Sequence, residues 1–194
     1  MCGGHDLKVL VCVTGMPGAG KSVIAKHIAE ALGVGLISMG DAMRREAVRR
    51  GLGLDLESMM KFALSIRKER GEGAVAELVV KEMENMGSDV VVVDGVRSLA
   101  ELNVFSRTGK VVVVAVHASP RERFRRLRSR GRRDDPSTWD EFRRRDMDEL
   151  RMGLGNVIAL ADVMVVNEGT SETVIKEEAL QRVRRALRNV LSEG

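Results

Sequence analysis

A phosphate-binding motif follows the first apolar segment of this 194-residue chain and restricts the folds that the chain can adopt. Residues 15–22 read GMPGAGKS, the G-x-x-x-x-G-K-[ST] pattern, and the apolar run before them, residues 7–14, is typical of a buried strand. In such a loop the glycines let backbone N–H groups turn toward an anion, and the next helix directs its positive end there. The motif therefore predicts a strand, a phosphate-binding loop and a helix in succession.

Each position of this motif has a predicted role in binding a nucleoside triphosphate. Lys21 is expected to neutralise the β- and γ-phosphates, and the Ser22 hydroxyl is expected to bind Mg²⁺, which retains most of its water ligands. The other loop residues predicted to line the nucleotide are Gly15, Met16, Pro17, Gly18, Ala19 and Gly20. We therefore expect ATP and Mg²⁺ as the cofactors.

Five short apolar segments, rich in β-branched residues, alternate with helical patterns along the chain. Continuous apolar runs of this length are typical of parallel strands that are covered on both faces. Strands are predicted at 7–14, 35–39, 90–93, 111–116 and 163–166, and helices at 21–32, 41–50, 55–69, 72–86, 98–106, 119–130, 137–152, 154–161 and 171–191. The expected fold is an α/β P-loop NTPase fold, with a five-stranded parallel sheet in a single domain spanning residues 1–194.

The composition agrees with one enzyme-sized domain. No stretch approaches the ~20 apolar residues of a membrane span, and no basic segment precedes the first apolar run, so we expect a cytoplasmic protein. The cysteines, Cys2 and Cys12, have no metal-binding spacing. Arginine outnumbers lysine 24 to 8, which favours a thermophilic source, whereas eleven methionines argue against one.

The positive charge is concentrated in residues 121–151, which contain 12 arginines and 8 acidic residues. A nucleic-acid interface would combine a basic face with aromatic stacking groups. Here acidic residues interleave with the arginines, and the segment has three aromatic residues, Phe124, Trp139 and Phe142. We therefore expect a small-molecule partner and no nucleic acid or membrane partner.

Charged residues follow two of the predicted strands at their carboxyl ends, where parallel sheets bind ligands. Asp94 closes a run of valines and is predicted to hold Mg²⁺ directly or through water, although an aspartate in this position can simply open a turn. Arg97 lies three residues further on, and Arg44 follows the second strand. Since a guanidinium binds phosphate in a fork, these two arginines are predicted to clamp an acceptor.

Two segments resemble the acceptor site of adenylate kinases. Residues 38–44, SMGDAMR, are similar to the S-T-G-D-x-L-R segment of that family, and residues 94–97, DGVR, are similar to a D-G-F-P-R segment that is one residue longer. The resemblance implies that Arg44 and Arg97 bind the acceptor phosphate. It also implies a helical acceptor-binding insertion at about residues 40–86.

The second half of the chain resembles dephospho-coenzyme A kinases. Residues 123–130, RFRRLRSR, are similar to the R-x-x-R-L-x-x-R start of their lid, and residues 161–169, ADVMVVNEG, to their A-D-x-x-I-x-N-x-G adenine loop. This implies that Asn167 and Gly169 line the adenine, and that Asp41 falls where that family has an acid that deprotonates a ribose hydroxyl. Taken whole, the chain resembles an archaeal group of P-loop kinases related to both families.

A lid is predicted at about residues 126–145, where Pro136 interrupts an arginine-rich helical pattern. Lid arginines stabilise the charge that phosphoryl transfer places on the equatorial oxygens, and lid closure excludes water. Consecutive arginines on a helix point in different directions, so few of residues 143–145 can face the site. We predict Arg126, Arg130 and Arg144 as the catalytic arginines.

These features predict an ATP-dependent kinase that acts on a nucleotide-like acceptor. The arginine pair favours a phosphate as the acceptor group. The alternative is transfer to a ribose hydroxyl of the dephospho-coenzyme A kinase type, for which Asp41 would serve as general base. Asp41 could equally cap the helix that is predicted to begin near Ala42. The alternative from another functional class is a P-loop ATPase that acts as a regulator or chaperone. The short chain of 194 residues and its predicted lid favour the kinase over this alternative.

Overall fold

The structure, a computed structural model, describes residues 8–83, 86–132 and 135–192. Its five parallel strands lie in the order β2-β3-β1-β4-β5. The strands are β1 (Lys8–Thr14), β2 (Gly35–Ser38), β3 (Val90–Asp94), β4 (Gly109–His117) and β5 (Val163–Val166). The described helices are α1 (Lys21–Leu32), α2 (Met39–Arg49), α3 (Leu56–Arg70), α4 (Ala74–Met83), α5 (Leu99–Phe105), α6 (Pro120–Arg130), α7 (Trp139–Arg151), α8 (Leu154–Ala159) and α9 (Glu172–Ser192).

Strand β1 lies at the centre of the sheet and is buried on both faces. Its side chains alternate, so that Leu10 and Cys12 pack into one hydrophobic cluster and Val9, Val11 and Val13 into another. The first cluster includes side chains from α2, α3, α4 and α5, and the second includes side chains from α1 and α9. The prediction of a five-stranded parallel sheet with helices on both faces is confirmed.

Helix α2 begins two residues earlier than predicted. The Ser38 side chain accepts a hydrogen bond from the Asp41 N–H at 3.2 Å, so Ser38 is the residue that caps the helix. Asp41 lies within the first turn of α2 and does not precede it. The alternative interpretation of Asp41 as the capping residue is therefore wrong.

The helix predicted at 72–86 is shorter in the described residues, where α4 ends at Met83. Residues 84 and 85 lie outside the described part of the chain. Among the described residues, no helix combines the length and the apolar character that crossing a membrane requires.

The loop after β3 is fastened to the end of β1. Val13 pairs with Asp94 in the parallel register, and the Val13 carbonyl accepts hydrogen bonds from Gly95 at 2.9 Å and Val96 at 3.2 Å. The Thr14 hydroxyl donates to the Val96 carbonyl at 2.7 Å, in the sheet interior. These bonds hold Asp94 beside the phosphate-binding loop, as the strand order requires.

The buried carboxylate of Glu46 lies at the centre of an ion-pair network at the C-terminal end of α2. Through Arg50, this network reaches α3. Glu46 accepts hydrogen bonds from Arg49 at 2.6 and 2.7 Å and from Arg50 at 2.9 Å, and Arg50 also donates to Glu69 of α3 at 3.0 Å. The hydrogen bonds from Arg49, with those from Arg50, lower the pKa of Glu46 to about 2. The ionised form of Glu46 therefore stabilises the folded chain.

We expect Glu46→Gln to lower the free energy of unfolding by about 1–2 kcal/mol at pH 7. A carboxylate whose folded-state pKa is lowered stabilises fully above its unfolded pKa and loses that effect as pH falls through the folded value, here about 2. Denaturant unfolding of the parent and the variant at several pH values should show the difference shrinking toward pH 2. A difference that does not change with pH would contradict this explanation.

Candidate active site

The phosphate-binding loop contains glycines with backbone angles that other residues rarely adopt. Gly15 and Gly20 have φ angles of 141° and 91°. A Cβ atom at Gly15 would lie 2.2 Å from the Val116 carbonyl oxygen, and one at Gly20 would lie 2.1 Å from Asn167 Nδ2. The two glycines therefore allow the phosphate-binding loop to turn. They also let β4 and the loop after β5 approach it closely.

Lys21 begins α1, and its ammonium group turns back to the loop, where Nζ donates to the Met16 carbonyl at 3.2 Å. Burial, together with the charge of Arg97, lowers the pKa of Lys21 to about 8, while the negative charges of Asp94 and Glu149 oppose that shift. Lysine has three N–H donors. Since one of them is used within the described residues, the ammonium can still bind phosphate oxygens.

Ser22 and Asp94 meet as the sequence predicts, with the Ser22 hydroxyl donating to Asp94 Oδ2 at 2.6 Å. The other carboxylate oxygen, Oδ1, is buried and has no hydrogen-bond partner among the described residues. Hydroxyl and carboxylate oxygens are the ligand types that Mg²⁺ prefers. These two residues therefore fit a magnesium ion that arrives with the nucleotide. Across residues 8–83, 86–132 and 135–192, no group of three or more metal-ligating side chains offers an alternative site.

The loop after β5 is bonded directly to the phosphate-binding loop. Asn167 Nδ2 donates to the Ala19 carbonyl at 2.8 Å, and Arg126 donates to the carbonyls of Asn167 at 2.7 Å and Ala19 at 3.4 Å. An open pocket of about 980 Å³ lies alongside, lined in part by Gly20, Asn167 and Gly169. The predicted site residues Asn167, Gly169 and Arg126 therefore lie close together. The side chains of Asn167 and Arg126 bond to backbone carbonyls and so hold the phosphate-binding loop and the loop after β5 against each other.

The predicted lid arginines have different surroundings. Arg130 donates to Asp135 at 2.9 Å through Nε, and Arg145 lies 3.6 Å from the same carboxylate. The charge of Arg145 also acts on the Lys21 ammonium, whereas Arg144 is exposed to solvent. Of these two neighbours, Arg145 is the half-buried one, and its charge is among the causes that lower the pKa of Lys21; the role of Arg144 stays a prediction. Lid residues 133 and 134 lie outside the described residues.

Arg123 is buried against the phosphate-binding loop. It was not among the predicted site residues. Its buried guanidinium donates to the Pro17 carbonyl at 3.1 Å and to both carboxylate oxygens of Asp146 at 2.8 and 2.6 Å. It also stacks 4.9 Å from the centre of the Phe142 ring. Arg123 therefore joins α6 and α7 to the phosphate-binding loop. Its spacing of four residues from the buried Leu127 is a signal that could have identified it.

The two predicted acceptor-binding arginines follow neighbouring strands, since Ser38 at the end of β2 pairs with Asp94 of β3. Arg44 bonds to the Asp41 carboxylate, and this hydrogen bond is the main cause that lowers the pKa of Asp41. Each arginine of the predicted clamp is held by an acid. The acid that holds Arg97 was not predicted: Arg97 donates to Glu149 Oε1 at 3.1 Å.

The comparisons with known proteins agree with this geometry. The profile of the AAA domain family matches residues 14–143, and the chain belongs to that family. More narrowly, it belongs with the UPF0200 proteins. It is 52% identical over 168 residues to the UPF0200 protein of Hyperthermus butylicus, covering 87% of this chain and 89% of that protein. It is 48% identical over 169 residues to a UPF0200 protein of Thermococcus kodakarensis, covering 84% and 91%.

Solved structures with the same fold include several kinases. TT1252 from Thermus thermophilus has a TM-score of 0.65 at 19% identity and covers 96% of this chain and 98% of its own. Shikimate kinase from Bacteroides thetaiotaomicron has a TM-score of 0.59 at 21% identity, covering 93% and 98%. A gluconokinase from Sinorhizobium meliloti has a TM-score of 0.55 at 20% identity, covering 98% of both chains. The fold is therefore a P-loop kinase fold.

The adjacent arginines of α7 provide a matched test of this site. We expect Arg145→Ala to lower the rate of ATP turnover by roughly 10²-fold or more, because it removes a cation that acts next to Lys21. Arg144→Ala removes the same charge from an exposed position and should leave the rate within about twofold. The rate of ADP formation measures both variants. Equal losses would show that the side chain of Arg145 has no special position.

Proposed function

We propose that this protein is an ATP-dependent phosphotransferase that transfers the γ-phosphoryl group to a small, nucleotide-like acceptor. The observation that carries the proposal is the contact between Ser22 and Asp94, whose second carboxylate oxygen has no hydrogen-bond partner among the described residues, and whose charge acts on the Lys21 ammonium. Structural neighbours that are named as shikimate kinase and gluconokinase support a small-molecule substrate. The thermophilic archaeal relatives support a thermophilic source.

On the donor side, the chain supplies charge and orientation. The backbone of the phosphate-binding loop and Lys21 bind the β- and γ-phosphates, while Ser22 and Asp94 hold Mg²⁺, which when bound neutralises charge on those phosphates. Arg145 contributes a further cation to the transferring group. In a loose transition state little covalent help is needed, so these charges and their fixed positions provide most of the catalysis.

The lid segment is built to keep its arginines in position. The rings of Phe124, Trp139 and Phe142 pack against one another with centroids 5.1 to 5.4 Å apart, which joins α6 to α7. The Asp135 carboxylate, nearly inaccessible to solvent, pairs with Arg130 and Arg145. A lid with this packing excludes water from the site, so that the acceptor and not water receives the phosphoryl group.

On the acceptor side, the balance of charge favours a hydroxyl as the attacking group. Arg44 is paired with Asp41, and Arg97 is paired with Glu149. The two arginines that predict a phosphate clamp therefore carry compensating acids, and a phosphate dianion would approach two carboxylates along with two guanidiniums. A hydroxyl adds no charge, and it can donate its hydrogen bond to the half-exposed Asp41 carboxylate.

Lys21→Ala is expected to weaken the binding of ATP·Mg²⁺ by about tenfold or more, through the loss of charge-assisted hydrogen bonds to phosphate. Isothermal titration calorimetry measures the affinity, and thermal unfolding checks that the variant is folded. Lys26→Ala is the control, because Lys26 lies on the exposed face of the same helix. Unchanged affinity in Lys21→Ala would refute the assignment.

Asp41→Asn tests the nature of the acceptor. ADP formation is first screened with nucleosides, nucleoside monophosphates and dephospho-coenzyme A, and the best acceptor is kept for the variants. If a hydroxyl attacks, Asp41→Asn should lower kcat by roughly 10²–10⁴-fold with little change in thermal stability, since Ser38 caps the helix. Asp55→Asn, which changes an exposed capping carboxylate on α3, is the control. A monophosphate as the best acceptor, with a loss below about tenfold, would favour the phosphate acceptor instead.

A further inference from the structure

Glu149, near the end of α7, is a buried acid for which the described residues provide an incomplete set of hydrogen-bond partners. Only 5% of its surface is exposed. One carboxylate oxygen, Oε1, accepts a hydrogen bond from Arg97 Nη1 at 3.1 Å. The other, Oε2, is sealed from solvent and has no hydrogen-bond partner among the described residues. A buried charge of this kind is costly unless the chain uses it.

A second buried acid shows what full compensation looks like in this protein. Glu46 accepts three hydrogen bonds from Arg49 and Arg50, which use both of its carboxylate oxygens. Among the described residues, Glu149 accepts one side-chain hydrogen bond, from an arginine whose side chain is 46% exposed. The ion pair with Arg97 therefore compensates little of the cost of burying the Glu149 charge. Stabilisation of the fold is a poor explanation for the burial of Glu149.

The pair of Glu149 and Arg97 lies at the loop after β3, where the Val96 carbonyl, one residue before Arg97, accepts a hydrogen bond from the Thr14 hydroxyl at 2.7 Å. Since Thr14 directly precedes the phosphate-binding loop, this bond holds Arg97 close to that loop, and the charges of both Arg97 and Glu149 act on the Lys21 ammonium. The backbone N–H of Arg97 donates to the buried Glu101 at 2.7 Å and its guanidinium donates to Glu149, so one acid fixes the backbone of Arg97 and another orients its side chain. Arg97 makes this single side-chain hydrogen bond within the described residues, which leaves other N–H groups to meet an acceptor.

We propose that Glu149 is a specificity-determining residue that sets the charge selectivity of the acceptor site. With one oxygen it orients Arg97, and with its charge it opposes the approach of a second phosphate dianion, so that Arg97 receives a neutral, hydroxyl-bearing part of the acceptor. This inference rests on the proposed function and narrows its substrate class. The physical basis is charge repulsion. A carboxylate beside the arginine weakens the binding of a negatively charged ligand more than it weakens the binding of a neutral one.

The test measures phosphate binding at the acceptor site directly. The protein is saturated with Mg²⁺ and a non-hydrolysable ATP analogue, so that the phosphate-binding loop is filled, and inorganic phosphate is then titrated by calorimetry. Glu149→Gln keeps the shape and one hydrogen-bond acceptor for Arg97 but removes the charge. It should bind phosphate roughly tenfold more tightly than the parent, because the repulsion of a nearby unit charge is lost.

Two further variants locate the effect. Adding Arg97→Ala to Glu149→Gln should abolish the gain, because the gained phosphate is bound by that guanidinium. Glu46→Gln removes another buried, arginine-paired carboxylate and should bind phosphate as the parent does. If Glu149→Gln does not fold, Glu149→Ser removes the same charge with a smaller side chain and should shift phosphate affinity in the same direction.

A catalytic measurement provides an independent readout. The ratio of kcat/KM for a nucleoside to that for its 5′-monophosphate should fall in Glu149→Gln, because the variant admits the phosphate more readily. Equal or weaker phosphate binding in the variant would overturn the inference while leaving ATP binding intact. Failure of the parent to bind the ATP analogue would overturn the proposed function, and this inference with it.

Discussion

The hydrogen bond from the Ser22 hydroxyl to Asp94 joins the phosphate-binding loop to the neighbouring strand, and the rest of the site is arranged around that contact. It exists because β1 and β3 are adjacent parallel strands, with Val13 opposite Asp94, and because Thr14 fastens the loop after β3. Within the described part of the chain, one Asp94 oxygen is buried without a hydrogen-bond partner, which costs stability and indicates that the arrangement is kept for a ligand.

Helix α7 connects the two halves of the site. Within little more than one turn it carries Arg145, whose charge acts on Lys21, then Asp146, which holds Arg123 under the loop, and then Glu149, which holds Arg97. A movement of this helix therefore changes the surroundings of the phosphate-binding loop and of Arg97 together. This is the physical link by which lid closure would bring the charges of both sides into place.

The sequence predicts the sheet because each strand is a continuous run of β-branched residues, and it predicts Asp94 because a parallel sheet collects its ligands at the carboxyl ends. It does not predict which residues of α7 face inward, because a helix rich in charges looks solvated on every side. The phase of α7 is set by the buried Phe142, from which Arg145, Asp146 and Glu149 are three, four and seven residues away. Those spacings identify the inner face, but only once the burial of Phe142 is known.

The proposed donor site depends on Asp94 and Ser22 together holding the magnesium ion of the nucleotide. The most direct measurement is the gain in ATP affinity when Mg²⁺ is added, compared between the parent and Asp94→Asn by calorimetry. We expect a clear gain in the parent and a much smaller one in the variant, even if removal of the negative charge improves binding of the metal-free nucleotide. The same gain in both proteins would contradict the central claim.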